Sequence, residues 1–249
     1  MEVVAIVNRK GGVGKTATAQ ALGAGLARKK KKVLYIDLDS QTNLSYGLGA
    51  DPEGLNSMDV LTGEATAAEA IQHTPQGDVI AGSEALAGAD AAIDGTGKEY
   101  RLKEAIDGLQ YDYIIIDTPA QLGTLTVNAL TAANSVVIPV QAEVYSLQGI
   151  GQLSKTIEAV KKYCNRDLYI RGILITRYNG RAVISKDMQS NLKDAAEQLK
   201  TKLYSTPIRE CVSIKEAQAI QQDIYTYAPR SNAAKDYEAF IKEFMERKK

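Results

Sequence analysis

Short runs rich in β-branched and other apolar residues alternate along the chain with longer stretches whose apolar positions recur every three to four residues. The runs at 2–7, 33–37, 78–81, 113–117, 135–140, 169–176 and 203–208 predict strands. The periodic stretches near 15–31, 100–110, 123–133, 147–164, 185–202 and 232–247 predict helices. Strands that alternate with helices close into a doubly wound, mostly parallel α/β sheet, here of about seven to eight strands, with helices on both faces. Such sheets bind ligands at the carboxyl ends of their strands, so the residues directly after each run carry the candidate chemistry. No Pro/Ser-rich linker, low-complexity tract or solenoid repeat interrupts the pattern, and residues 1–249 are expected to form one compact domain.

Composition narrows the class. At 249 residues, with 45% hydrophobic and 24% charged positions, the chain can bury a large core without disulfide or metal staples. No apolar run approaches the ~18 residues of a membrane span. The start, Met1-Glu2-Val3-Val4-Ala5-Ile6-Val7, has neither the basic leader nor the small-residue cleavage site of a secretory signal, so a cytoplasmic protein is expected. Two cysteines, Cys164 and Cys211, without C-x-x-C spacing, and a single histidine, His73, point to neither zinc nor a disulfide framework. The net charge of zero conceals a split: residues 1–150 carry 11 Lys+Arg against 18 Asp+Glu, and residues 151–249 carry 19 against 12. That excess suggests a polyanion-facing surface in the C-terminal part.

The sharpest signal follows the first run: Asn8-Arg9-Lys10-Gly11-Gly12-Val13-Gly14-Lys15-Thr16, opening a helix of small residues. Glycines let a backbone curl so that successive N–H groups face a phosphate, and the helix N-terminus adds partial positive charge. Gly11, Gly12, Val13, Gly14, Lys15, Thr16 and Ala17 are the candidate residues of a nucleotide triphosphate cradle, Lys15 reaching the β- and γ-phosphates and the Thr16 hydroxyl ligating Mg2+. The alternative is a glycine-rich turn that only joins strand to helix. Arg9 occupies the first glycine position of the usual G-x-x-x-x-G-K-[ST] pattern, and an extra lysine stands at Lys10.

Two other runs end in acids: Val33-Leu34-Tyr35-Ile36-Asp37, followed by Leu38-Asp39, and Tyr113-Ile114-Ile115-Ile116-Asp117. Carboxylates at strand ends beside a phosphate loop suit a hydrated Mg2+ and a positioned water, although Asp also caps turns and helices. Asp117 is the candidate metal ligand, acting through water, and Asp37 a weaker candidate that organises the site.

The K-G-G-V-G-K-T form resembles the deviant Walker A motif of the ParA/MinD ATPases, and most of the chain resembles the small ParA type. Asp37-Leu38-Asp39-Ser40-Gln41, Asp117-Thr118-Pro119, Val137-Ile138-Pro139-Val140-Gln141, Gly172-Ile173-Leu174-Ile175-Thr176-Arg177-Tyr178 and Glu216-Ala217 are similar to motifs of that family, with Ser40 and Ala120 in place of its prolines. The resemblance implies a P-loop fold and a Mg2+-dependent ATPase. It implies an ATP-bound homodimer in which Lys10 crosses to the partner's phosphates, with Lys10, Lys15 and Asp39 catalytic and Asp39 orienting water. It also implies nonspecific DNA binding by that dimer, stimulation by a ParB-like centromere-binding partner, and segregation of DNA on the nucleoid. The sequence opens at the first strand, so the N-terminal helix-turn-helix extension of the larger ParA proteins is not expected.

Candidate DNA-contacting residues are Arg177, Arg181, Lys186, Lys193, Arg209, Lys215 and Arg230, with solvated helix faces as the alternative. The run Arg28-Lys29-Lys30-Lys31-Lys32 falls where cations offset the carbonyls ending the first helix. No membrane partner is expected. The competing function is a MinD-like membrane-cycling regulator of division placement, which would use Phe240 and Phe244 near the C-terminus as an amphipathic anchor; packing of that stripe on its own domain is the simpler reading. An iron–sulfur reductase would need cysteines close after the 113–117 run, and a regulatory module would bind ATP without hydrolysing it.

Overall fold

A computed structural model describes residues 1–143, 146–180 and 183–246, and side chains at all of these except 183–187. Its core is a seven-stranded sheet of β1 (Glu2–Ile6), β2 (Val33–Asp37), β3 (Gln72–Thr74), β4 (Gly77–Ile80), β5 (Tyr113–Asp117), β6 (Ser135–Gln141) and β7 (Tyr169–Thr176), in the order β3-β4-β2-β5-β1-β6-β7. Every pairing is parallel except the β3–β4 hairpin. Helices cover both faces, so the central strands read as continuous apolar runs rather than alternating ones; β2 and β6 are buried at every position.

The faces separate cleanly along β1. Val3 and Ala5 point to the side packed by α3 (Ser57–Thr62), α6 (Arg101–Ala105), α7 (Thr124–Ala132), α8 (Ser146–Tyr163) and α9 (Val183–Gln198). Val4 and Ile6 point to the side packed by α1 (Lys15–Arg28), α2 (Asn43–Leu48), α10 (Val212–Ala219), α11 (Ile224–Tyr227) and α12 (Asn232–Met245). Short helices α4 (Ala67–Ala70) and α5 (Ala89–Ala92) complete the connections. The small residues of α1 let it lie close to its neighbours: a Cβ on Gly25 would stand 2.1 Å from Ile241 Cδ1 of α12.

Two expectations about elements require correction. The apolar segment 203–208 is not a regular strand: it meets the edge of β7 only at an isolated bridge, with Tyr204 N donating to Ile173 O and Ile208 N to Ile175 O. Four residues there span two of β7, and Pro207 within them has no N–H to give. The expected helix at 100–110 shrinks to a 3-10 turn, Lys98–Tyr100, running into the five residues of α6. Conversely β3, polar and partly exposed, has no apolar signature and exists because the turn before Gly77 folds it onto β4.

The closing segment 232–247 forms α12 through Met245, and Phe240 and Phe244 are buried in the core beside Tyr204, Tyr237 and Tyr113. The basic run 28–32 sits at the end of α1, where Lys29, Lys30 and Lys31 donate backbone N–H to Leu26 and Ala27 carbonyls. Among the described residues no helix is long and apolar enough to cross a membrane, and no group of three or more His, Cys, Asp or Glu could hold a metal.

Candidate functional site

Strand register builds the site. Asp37 and Asp117 are paired neighbours at the carboxyl ends of β2 and β5, and Ile6, the last residue of β1, is also level with Asp117. The glycine loop therefore leaves β1 with acids on one side and the end of β6 on the other. It curls to α1 through Gly12 and Gly14, whose φ of 73° and 82° lie in the left-handed region that glycine adopts without strain. A cleft of about 880 Å3 opens over this loop, lined by Gly11, Gly12, Gly14, Lys15, Thr16 and Ala17. Asp39 enters it from the loop after β2, and Pro119 and Ala120 from the loop after β5. Arg177, Ile208, Arg209, Cys211, Ile214 and Lys215 form its C-terminal wall.

Lys15 is only 7% exposed. Burial pulls its ammonium pKa below the usual lysine value, and the nearby charges of Asp117 and Asp39 oppose the shift. The Thr16 hydroxyl donates to Asp117 Oδ2 at 2.6 Å, which leaves Asp117 Oδ1 buried and without a hydrogen-bond partner among the described residues. Burial pushes the Asp117 carboxyl up to about 8, helped by the carboxylate of Asp37 and opposed by the Thr16 bond and Lys15. A buried carboxylate with an idle oxygen beside a hydroxyl, at the foot of a glycine loop, is a donor set that fits a hard divalent cation carried with a triphosphate.

Asp37 is placed differently. One oxygen accepts from Ser45 N and Ser45 Oγ at 2.9 and 2.7 Å, and the other from Asp39 N at 3.0 Å. Burial raises its pKa against these bonds. With both oxygens engaged, Asp37 shapes the loop that presents Asp39 and pins α2 through Ser45. Asp39 itself faces the cleft, one oxygen accepting from Gln41 N at 3.1 Å.

Lys10 projects toward the loop after β6. Its ammonium pairs with Glu143 and lies 3.5 Å from Gln141 Oε1, and its N–H donates to Asn8 Oδ1 at 2.9 Å. Asn8 in turn donates to the Pro139 carbonyl at 2.7 Å. Asn8, Gln141 and Glu143 thus support the loop, a role that no residue pattern announces; their signal is position, directly after β1 and β6 at the strand ends where such sheets bind ligands.

The basic candidates divide. Arg177, Arg209 and Lys215 line the cleft. The Arg177 guanidinium pairs with Glu210 at 2.9 Å, and that of Arg209 grips the buried carboxylate of Asp236 with Nε at 2.8 Å and Nη2 at 2.6 Å. Lys193 on α9 and Arg230 are exposed. Arg181 lies outside the described residues, as does the side chain of Lys186.

The AAA domain family matches residues 1–170. Over nearly the full length the chain is 41% identical to the sporulation initiation inhibitor protein Soj of Bacillus subtilis, covering 97% of each chain. It is 36% identical to the chromosome partitioning protein ParA of Caulobacter vibrioides, covering 100% of this chain and 96% of that one. Among solved structures it is similar to cobyrinic acid a,c-diamide synthase from Mycobacterium smegmatis with bound ADP and magnesium, with TM-score 0.83 and 34% identity over 97% of this chain and 93% of the other. It is also similar to the septum site-determining protein MinD of Pyrococcus horikoshii complexed with Mg-ADP, with TM-score 0.79 and 26% identity over 98% and 97%. Fold and site together define a P-loop nucleotide-binding protein of the deviant Walker A class. Within that class the chain belongs to the ParA/Soj family of partitioning ATPases.

Proposed function

We propose that the chain is a nucleotide-controlled DNA-partitioning switch, built as one domain over residues 1–249, that hydrolyses ATP to ADP and phosphate. One observation carries the reading: Lys15, Asp39 and Thr16, whose hydroxyl is bonded to the buried Asp117, converge on a single cleft above a glycine loop that directly follows β1.

The N–H groups of residues 11–17 bind the phosphate oxygens, and Lys15 neutralises charge at the β- and γ-phosphates. Thr16, with Asp117 through water, would hold Mg2+, which when bound neutralises the charge that builds on the transferred phosphoryl group. Asp39 orients the attacking water; the water oxygen bonds to the γ-phosphorus as the bond from that phosphorus to the β–γ bridging oxygen breaks, ADP leaves with that oxygen, and a water proton is released with the phosphate. Lys10 releases Glu143 and crosses to the phosphates of a second copy, making the homodimer dependent on ATP. The dimer grips DNA without sequence preference through exposed cations such as Lys193 and Arg230, and a ParB-like partner stimulates hydrolysis that dissolves it. The cytoplasm, at the nucleoid, is where such a cycle operates.

The inward packing of Phe240 and Phe244 favours this reading over a MinD-like membrane cycle, since the apolar stripe that would anchor the chain is spent on its own core. The deciding measurement is DNA binding by the wild-type chain and Lys10→Ala with ATP, ADP and no nucleotide across a salt series. ATP-dependent binding that Lys10→Ala abolishes is expected; binding indifferent to nucleotide, or a variant equal to wild type, refutes the switch.

A further inference from the structure

The loop that carries Asp39 is closed by two side chains that do not line the cleft. Asp37, fully buried at the end of β2, accepts from Asp39 N with Oδ1 at 3.0 Å and from Ser45 N and Ser45 Oγ with Oδ2 at 2.9 and 2.7 Å. One carboxyl group thus ties residue 39 to residue 45 and fixes both ends of the segment between them. The buried Ser45 hydroxyl has no freedom in this arrangement: it accepts from Gly82 N at 2.7 Å, so its single hydrogen is directed at Asp37.

Between the two ends the backbone is strained. Thr42 has φ 51° and ψ 23°, a left-handed conformation exceptional for a β-branched residue, and its side chain makes no capping bond to α2 among the described residues. Backbone bonds hold it on both sides, Thr42 N donating to Asp39 O and Tyr46 N to Thr42 O, each at 2.9 Å. A conformation of this kind persists only where its surroundings over-determine it, and here the Asp37–Ser45 tie does so. Weakening the tie lets Thr42 relax and carries Asp39, at the other end of the same segment, out of place. The glycine loop is held by different partners: the Gly12 carbonyl accepts from Gln141 Nε2 at 3.3 Å and the Val13 carbonyl from Thr176 Oγ1 at 2.6 Å. The tie therefore bears on Asp39 and not on the phosphate cradle.

We propose that Ser45 is a positioning residue for hydrolysis: by closing the 39–45 loop through Asp37, against the strain at Thr42, it sets the place from which Asp39 orients the attacking water. The inference rests on the reading that Asp39 performs that task.

The test measures kcat for ATP hydrolysis and the dissociation constant of ATP, in excess Mg2+, for wild type, Ser45→Ala, the double variant Thr42→Gly/Ser45→Ala, and Gly82→Ala, with Asp39→Ala as reference. Ser45→Ala should lower kcat roughly ten- to a hundredfold, the order of loss that a misplacement of about 1 Å produces, and leave the dissociation constant within about threefold. Glycine adopts the Thr42 conformation without strain, so the double variant should return to within about threefold of the wild-type kcat. Gly82→Ala keeps the hydroxyl but brings a Cβ to 3.0 Å from Asp37 Cγ and 3.1 Å from Asp39 O, tighter than ordinary contact, and should lower kcat by displacing the same turn from outside. An unchanged kcat in Ser45→Ala would overturn the proposal, as would a loss of ATP affinity equal to the loss of kcat, or a kcat that Thr42→Gly fails to restore. If Ser45→Ala does not fold, a Gly82→Ala chain that hydrolyses ATP at the wild-type rate overturns it. Wild-type hydrolysis by Asp39→Ala would instead bring down the reading of Asp39, and this proposal with it.

Discussion

Burial of Asp117 makes the nucleotide-free chain sensitive to pH in a direction opposite to that of ordinary carboxylates. Its carboxyl is raised from 3.8 to about 8 in the folded chain, so between those values the folded state carries a proton that the unfolded state has lost. With more protons bound in the folded state, the free energy of unfolding falls as pH rises; the stabilisation is complete below the unfolded value and gone above the folded one. For one group the slope is on the order of 1 kcal/mol per pH unit, so stability falls by roughly 2–3 kcal/mol between pH 5.5 and 7.5. Asp37, raised by its own burial, adds in the same direction and stays in place when Asp117 is changed. Asp117→Asn keeps the shape and an oxygen that can accept from Thr16 while removing the titration. Urea unfolding without nucleotide or Mg2+ should show wild-type stability declining across that range more steeply than the variant, by on the order of 1 kcal/mol per unit. Parallel pH profiles for the two chains would refute the argument that the strand-end carboxyl is neutral while the cleft lacks a cation.

Two further outcomes are expected. Gly25→Ala, ordinarily a gain of about 1 kcal/mol in a helix, should instead destabilise by roughly 1–2 kcal/mol because its Cβ meets Ile241 Cδ1; Ile241→Val removes that atom, so the double variant in thermal unfolding should be more stable than the sum of the singles predicts. For DNA binding, Lys193→Ala should reduce the slope of log affinity against log salt by about 0.9 for each phosphate that Lys193 neutralises, whereas Arg209→Ala should leave it unchanged, since the Arg209 fork is committed to Asp236.

The centre of the molecule is legible in the sequence because its physics is local. β2, β5 and β6 are enclosed on both faces, so they read as uninterrupted apolar runs, and their terminal Asp37, Asp117 and Gln141 stand out as the polar residues that end them. The glycine loop is legible for the same reason: its backbone conformation requires particular residues at adjacent positions. What the sequence conceals depends on partners distant along the chain. Arg177 and Arg209 look like surface cations until Glu210 and Asp236 are brought against them. Asp37 resembles a metal ligand until Ser45, eight residues on, takes one of its oxygens and the Asp39 N–H the other. The four- and six-residue helices are too short to display a period, and 203–208 has strand-like residues whose pairing fails at a proline.

That failed pairing has a consequence for assembly. On one flank of the sheet the outermost ribbon is three residues long, and on the other it is an irregular segment broken by Pro207. Among the described residues neither margin offers a long row of unsatisfied backbone groups that a sister molecule could zip onto. Growth of the sheet by strand pairing between molecules is thereby discouraged along both described margins.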